Sequence, residues 1–509
     1  MPLKSLSTLE PHARQLAELS TAWADPFWDE ASGLLWNPGY ESTGSGAWQR
    51  SHLVRDTVWY VTGLFLRRQG SDVFRALHAI EAILDQQIDA PGQPYHGTFA
   101  RSPEEVLPQP GAREWRDYDP NWREFIITPL QILLAEYDTL LPRRIVERID
   151  AATRLAVAGA LVRPLRSAYT NIALMHAFML CAAGERLNEP GWIARGEQMA
   201  QEIYDLFRLN QAFEEYNSPT YYGVDLYALA LWRAYCPSPA EGAPGVLRRL
   251  GAEMEGLLWI DISRYYHAGL RNLCGPFDRA YGMDMTRYAA VVGEWIWLVT
   301  GQEQAPFPDI ELPFAHTPDF LYSPCAALLG AAVPEEARVH FLAFQGPRQV
   351  EHVIASEPRR TATAWLEENF MWGAEHTSRA KQGYAQFHSA TLHWKIAPDI
   401  VGWMRLVHAE PVDAVVEGHT LTIQGSGMLT FQICAPGLSE DDLRPAAWAL
   451  PLFRGDEALP LFRGDEALPN LPIRISAPPV SFQVIRQPEW LEVSYDAGPG
   501  KEIEMQLQI

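Results

Sequence analysis

The chain has 509 residues, 47% of them hydrophobic and 20% charged, which suffices for a sizeable buried core and, by length, for about two to four domains. A formal charge of −22 excludes nucleic-acid binding, which needs a basic surface, and it repels polyanions at long range. An anionic substrate would therefore need a local arginine cluster, and highly sulfated substrates are disfavoured.

The first stretch, MPLKSLSTLEPHARQLAELS, has no apolar h-region and reads as an amphipathic helix. No window approaches a membrane-spanning run, so the sequence predicts a soluble, cytoplasmic protein with no membrane partner. From about residue 50 to 325, apolar residues recur at three- and four-residue steps. DTVWYVTGLFLRR, EFIITPLQILLAEYDTLL, NIALMHAFMLCAAGERL, DLYALALWRAYC and RYAAVVGEWIWLVTG are examples, separated by Pro- and Gly-containing breaks. Aligned helices joined by polar loops over this length predict an (α/α) toroid of helical hairpins at residues 1–329, with one end open as a cleft.

After PFAHTPDFLYSPCAALLGAA the period falls to two. QVEHVIAS, SATLHWKI, MLTFQICA, WLEVSYDA and EIEMQLQI are short strands bounded by turn residues. They predict an antiparallel β-sandwich over residues 330–509 and make the whole an α+β multidomain chain. Within it, ALPLFRGDE at 449–457 recurs at 458–466. Each copy's Arg-Gly-Asp reads as a turn, in a local duplication that lengthens one surface loop.

Five cysteines, at positions 181, 236, 274, 325 and 434, are odd in number and lack CxxC spacing. They read as reduced thiols, with neither a disulfide framework nor a zinc site. HExxH and Cys/His clusters are absent, as is a phosphate-cradling Gly-rich loop, so neither metal nor cofactor is expected.

FEEYNSPTYYGVD, residues 213–225, crowds hydrogen-bonding groups between two apolar helices. It is either a rigid polar turn closing a hairpin, with Ser218-Pro219 opening the next helix, or the floor of an active site. Other polar groups also fall at element ends. Asn171 opens an apolar helix, where it is either an N-cap or a functional amide. In YDPNWREF, Asp119-Pro120 suits a cap, yet Trp122, Arg123 and Glu124 could line a sugar subsite. HAGLRNLCGPFDRAYGMDM supplies His267, Arg271, Arg279 and Tyr281 around a Gly-Pro break. GAEHTSRAKQGYAQFHSATLHW supplies His376, His388 and His393 from the strand region.

Glu215-Tyr216-Asn217-Ser218-Pro219-Thr220-Tyr221 resembles, with one extra residue, the Glu-x-Ser-Pro-x-Tyr signature of heparinase II/III-like polysaccharide lyases. That superfamily places a helical toroid before a β-sandwich. The resemblance implies that Tyr221 exchanges a proton during β-elimination, that Asn171 is the asparagine one hairpin earlier, and that a sandwich histidine, His376 or His388, assists. This sequence departs from the pattern in carrying Tyr222 where histidine often follows the tyrosine, and Ile172 where histidine often follows the asparagine.

Elimination from a uronic acid requires a weakly acidic proton to leave beside a carboxylate that a donor must first neutralise. Asn171 or Asn217 could donate, and Arg279 could add positive charge. A phenol titrates near ~10, so Tyr221 needs a neighbouring cation to act as base but none to act as acid. Glu215, Asn217, Tyr222, His267, Tyr281 and Trp122 complete the candidate substrate contacts, for an oligo- or polysaccharide partner. Two alternatives stay open. A glycoside hydrolase on the same scaffold would use paired carboxylates drawn from Glu214, Glu215, Asp225, Asp278, Asp284 and Asp119. A carbohydrate-binding protein without catalysis would use the same loops only as caps.

Overall fold

A computed structural model describes residues 3–38, 51–236, 245–379, 386–451 and 470–509. The tandem ALPLFRGDE copies from residue 452 onward lie outside the described residues. Contacts divide the chain into two compact units. The first comprises Met1–Arg208, Tyr221–Leu258 and Thr286–Val333, and the second Leu209–Thr220, Trp259–Met285 and Pro334–Ile509.

Helices build the first unit: α1 (Pro11–Ala24), α2 (Val54–Arg67), α3 (Asp72–Leu84), α4 (Trp122–Tyr137), α5 (Arg143–Val162), α6 (Thr170–Leu187), α7 (Pro190–Asn210) up to Arg208, α8 (Tyr221–Tyr235), α9 (Val246–Tyr265) up to Leu258, α10 (Val291–Thr300) and α11 (Ser323–Leu329). Their packing order closes on itself. α1 packs on α2, α2 on α4, α4 on α6, α6 on α8, α8 on α10, and α10 again on α1. That closed ring is the expected toroid. Burial explains who sits inside: α4, α6, α8 and α10 are buried on nearly every face. By contrast α5 buries one stripe, Ile145, Ile149, Ala152, Ala156 and Ala160, and lies outside against α4 and α6. No described helix is long and apolar enough to cross a membrane.

The loop before α4 approaches the toroid wall closely at one glycine. Arg123 is fully buried and donates only to backbone carbonyls, to His96 at 2.8 and 3.0 Å and to Pro94 at 2.6 Å. A Cβ at Gly159 of α5 would overlap the His96 carbonyl and press on Arg123 Nε. Glycine to alanine in a helix interior normally gains ~1 kcal/mol. Here Gly159→Ala should instead destabilise by ~1–3 kcal/mol, because backbone and a buried guanidinium must move. A urea melt showing a gain in stability would contradict this.

Three short strands, β1 (Trp28–Asp29), β2 (Leu34–Trp36) and β3 (His52–Leu53), form a small antiparallel sheet in the first unit. The second unit holds a hairpin of β4 (Tyr266–His267) and β5 (Asn272–Leu273), the helix α12 (Glu335–Leu342), and a large antiparallel sheet. Its strands are β6 (Arg348–Ser356), β7 (Arg359–Glu367), β8 (Phe370–Arg379), β9 (Ala390–Ala397), β10 (Ile400–His408), β11 (Val412–Glu417), β12 (Thr420–Ser426), β13 (Met428–Cys434), β14 (Leu443–Arg444), β15 (Ala447–Pro451), β16 (Asn470–Ser476), β17 (Ser481–Arg486), β18 (Leu491–Asp496) and β19 (Glu502–Gln508). The order runs β14-β15-β16-β19-β12-β11-β8-β9-β10-β13-β18-β17, with β6 and β7 branching from β8.

Burial alternates residue by residue along β11, β16, β18 and β19, as a one-sided strand requires. The sheet folds back on itself around that buried side. Trp448 of β15 meets Phe431 of β13 at 5.2 Å and Tyr495 of β18 at 6.5 Å, although these strands lie near opposite ends of the order. The result is the expected β-sandwich.

Candidate functional site

Within the first unit, the inner helices are separated in sequence by outer ones, so consecutive inner helices point the same way. Their N-terminal ends gather. Arg55, second in α2, lies 5.5 Å over the ring of Trp122, first in α4. Asn121 Nδ2, just before α4, donates to Tyr169 Oη, just before α6, at 3.0 Å. A Cβ on Gly223, in the first turn of α8, would strike the Val291–Val292 backbone that opens α10. Tyr288, before α10, lies 6.1 Å from His316, which leads into the turn Thr317–Tyr322 and α11. Helix N-termini carry partial positive charge and unsatisfied N–H groups, so this end favours an anionic ligand.

Four of the candidates from the sequence lie on these first turns. Tyr221 is the first residue of α8 and is part-exposed, while Tyr222 beside it is buried. Asn171 is fully buried as the second residue of α6. The N-cap of α6 is Tyr169, so Asn171 is not its cap. Trp122 opens α4 and is 8% exposed. The helix starts two residues after the Asp119-Pro120 pair expected to cap it, and Asp119 Oδ1 instead accepts from the Asn121 N–H at 2.9 Å.

At this end Asp119 and Glu124, named from the sequence, are joined by Arg55, Asp56, Asp319 and His176, which were not singled out. The Arg55 guanidinium is bracketed by the rings of Trp59, Trp122 and Phe125 at 4.7–5.5 Å and bonds Asp56 at 2.8 Å. Asp319 lies 3.9 Å from it. Burial pushes the Asp319 carboxyl up to about 7, against the opposing pull of Arg55. Burial likewise raises Asp119. Behind them, Glu124 Oε1 and His176 Nδ1 form a buried pair at 3.0 Å. The one available signal was a charged pair, Arg55-Asp56, on the first turn of a helix otherwise apolar all round.

The remaining candidates lie in the second unit. Glu215 accepts from Arg279 Nη1 at 2.7 Å, and Arg279 Nε donates to Gln386 Oε1 at 2.7 Å. Burial nevertheless raises the Glu215 carboxyl, with Arg279 opposing. Asn217, in a left-handed conformation at φ 50°, gives both amide N–H groups to backbone, to Cys274 O at 2.7 Å and Pro276 O at 2.8 Å. Ser218 Oγ donates to Arg279 O at 2.5 Å. His388 is buried, and its backbone pairs with Phe277 in both directions at 2.8 and 3.1 Å. The motif segment, the loop after β5 and the strand residues 386–388 therefore form one tied assembly.

His376 is not part of it. Glu375 faces inward to Arg360 at 2.7 Å, so strand alternation turns His376 to the opposite face. There it is half-exposed, 3.7 Å from Asp413, in a groove of about 470 Å³ lined also by Gln349, Glu351, Arg359 and Thr361. His267 bonds the Glu367 carbonyl and the Leu270 N–H and stacks on Phe344, and burial lowers it to about 4. His393 is buried and bonds Met283 O at 2.7 Å. Tyr281 is part-buried in the turn after Arg279. Of the carboxylates considered for hydrolysis, Asp278 is bound by Arg360 and Asp284 by Asn272, Asp225 is buried in α8, and Glu214 is exposed. Among the described residues no group of His, Cys, Asp and Glu is arranged to hold a metal ion.

Among solved structures, chondroitin AC lyase from Streptomyces coelicolor A3, in complex with chondroitin sulphate, is similar at 11% identity with a TM-score of 0.47. The match covers 98% of this chain and 80% of that one. A heparinase III structure is similar at 9% identity with a TM-score of 0.35, over 100% of this chain and 86% of that one. Both are polysaccharide lyases, the class whose signature residues 215–221 resemble. At these scores and identities the likeness carries no argument about the reaction. No curated protein matches the chain. One family model, described as a domain of unknown function (DUF8769), matches residues 14–331, more than half of the 509. The chain belongs to that family.

Proposed function

We propose that the protein is a lyase that cleaves uronic-acid-containing oligo- or polysaccharides by β-elimination. The observation that carries this reading is the placement of Tyr221 and Asn171. Both stand on first turns of inner helices, at the end of the first unit where the helix N-termini lie, Arg55 in the first turn of α2 among them. Such an end suits an anionic sugar, and its charge is local in a chain that is strongly negative overall.

The chemistry follows from these groups. Asn171, buried in the free protein, turns its amide out on substrate binding to donate a hydrogen bond to the uronate carboxylate, and the helix N-terminus supports the charge that builds there. Tyr221 begins as the phenolate, takes the proton from C5 and so becomes the phenol. The released electron pair forms the C4–C5 double bond, and the C4–O bond breaks. A proton passes to the leaving oxygen, which Tyr221 supplies as a phenol. No water is consumed, and the products are an unsaturated uronate and a new hydroxyl end.

The test incubates the protein with alginate, polygalacturonate, hyaluronan and unsulfated chondroitin while following the ultraviolet band of unsaturated uronates. Asn171→Ala should lower turnover by ~10²–10³-fold, the range for losing one donor to a developing anion. Thermal melts run in parallel should show the fold retained. Unchanged activity per folded molecule would remove Asn171 from the mechanism.

A second reading, hydrolysis by paired carboxylates, is favoured by one observation. Asp56 and Asp319 flank Arg55 at the same end of the unit, at 2.8 and 3.9 Å, and burial pushes the Asp319 carboxyl up to about 7, the direction a general acid needs. Hydrolysis would release reducing ends without any ultraviolet band.

A further inference from the structure

Trp115 lies in the loop that precedes α4, and its exposure is unusual. The residue is 52% exposed, more than Trp36 at 40%, whereas Trp59, Trp122, Trp232, Trp295 and Trp297 of the first unit are buried. Its backbone takes φ 65°, a left-handed conformation that non-glycine residues seldom adopt and that persists only where surrounding contacts impose it. Those contacts are a tight turn. Trp115 N–H donates to Tyr118 O at 2.9 Å, and Arg113 and Asp117 bond each other through N–H to carbonyl and N–H to carboxylate, both at 2.9 Å. The turn thus holds a large apolar ring outward at a conformational cost.

Beneath the ring the support is polar and ordered. The Arg163 guanidinium lies 5.6 Å from the indole centroid, and the Tyr169 ring meets it edge-on at 6.3 Å. Arg163 Nη1 donates to Asn121 Oδ1 at 2.7 Å, and Asn121 Nδ2 donates to Tyr169 Oη at 3.0 Å. Tyr169 is the N-cap of α6, two residues before Asn171. Trp115 is therefore braced on the same helix ends that carry the proposed reaction. The arginines of this loop are matched by its own carboxylates: Arg101 pairs with Glu105, Arg116 with Asp117, and Glu114 lies 3.9 Å from Arg163.

From this arrangement we infer that Trp115 is a specificity-determining platform, stacking on a pyranose ring of the glycan next to the sugar held at Asn171. The open indole face meets the C–H face of the sugar, a contact that needs no charge on the ring it stacks against. The inference rests on the proposed glycan substrate and adds a subsite that makes the protein prefer chains over single sugars.

The experiment measures binding by calorimetry, using hexasaccharides from alginate, polygalacturonate and hyaluronan, together with KM and kcat on the same probes. Trp115→Ala should weaken binding and raise KM by about tenfold, the scale of one lost aromatic contact, with kcat little changed. Trp115→Phe should recover most of the affinity, and thermal melts should match the wild type. A melt well below wild type in Trp115→Ala, with affinity per folded molecule retained, would make the residue purely structural and overturn the inference. Unaltered affinity in a stable Trp115→Ala overturns it as well, whether or not elimination products form. Loss of binding in Trp115→Ala with no ultraviolet-absorbing product from the wild type supports the platform while removing the lyase reading. Absence of binding by the wild type to every probe overturns both.

Discussion

Tyr221→Phe should lower turnover on the uronate-containing substrate by ~10²–10⁴-fold, the usual contribution of a positioned general acid or base. The substitution removes one oxygen from a part-exposed side chain at the start of α8, and the ring and its packing remain. Stability should therefore change little, and substrate affinity measured by calorimetry should hold. The signature is a fall in kcat with KM nearly constant, because the phenol acts on the proton and not on sugar recognition. Near wild-type turnover would exclude Tyr221 as the proton carrier. Combined with a severe loss in Asp319→Asn, it would transfer the chemistry to the paired-carboxylate hydrolase, whose acid must hold a proton near neutral pH.

Periodicity made the architecture legible. The change from a three-to-four-residue step to a two-residue step near residue 330 places the helices up to α11 and the large sheet after it, because one face of each element must reach a core; α12 (Glu335–Leu342), inside the region read as strands, is a helix instead. That Asn171 and Tyr221 stand on helix first turns was legible because each follows a polar break and opens an apolar run. What stayed hidden depends on long-range partners or on register. Asn217 looks like a donor for substrate, but a left-handed backbone turns its amide to the carbonyls of Cys274 and Pro276. Glu375 and His376 are neighbours in sequence, and only the parity of β8 in the sheet decides which faces inward. Trp115 sits in a polar, Pro-containing loop where no periodic pattern marks it, so its exposure had to be observed. Arg55 and Asp319 meet through ring closure of the toroid, which brings together helix starts far apart in the chain.

Arg360→Met should destabilise the second unit by ~3–5 kcal/mol, the penalty for leaving buried charge without its partner. Arg360 on β7 binds both oxygens of Asp278 at 2.6 Å and Glu375 at 2.7 Å, and all three side chains are at most 9% exposed. Methionine keeps much of the side-chain volume, so the loss would report charge and hydrogen bonding more than a cavity. Two buried carboxylates would then face each other with no cation between them. Against a typical total of ~5–15 kcal/mol this is a large fraction, visible as a lower urea midpoint. Asp278 also exchanges backbone hydrogen bonds with Tyr216, its N–H to Tyr216 O at 3.0 Å and its Oδ2 from Tyr216 N–H at 3.1 Å. The same variant should therefore loosen residues 213–218, seen as faster amide exchange at Tyr216 than at core strands such as β13. Neutralising the carboxylates in Arg360→Met with Asp278→Asn and Glu375→Gln should recover part of the loss, because neutral amides tolerate burial better than unpaired carboxylates. A loss below about 1 kcal/mol in Arg360→Met would mean that water reaches the cluster, and the ion pairs would then be worth no more than exposed ones.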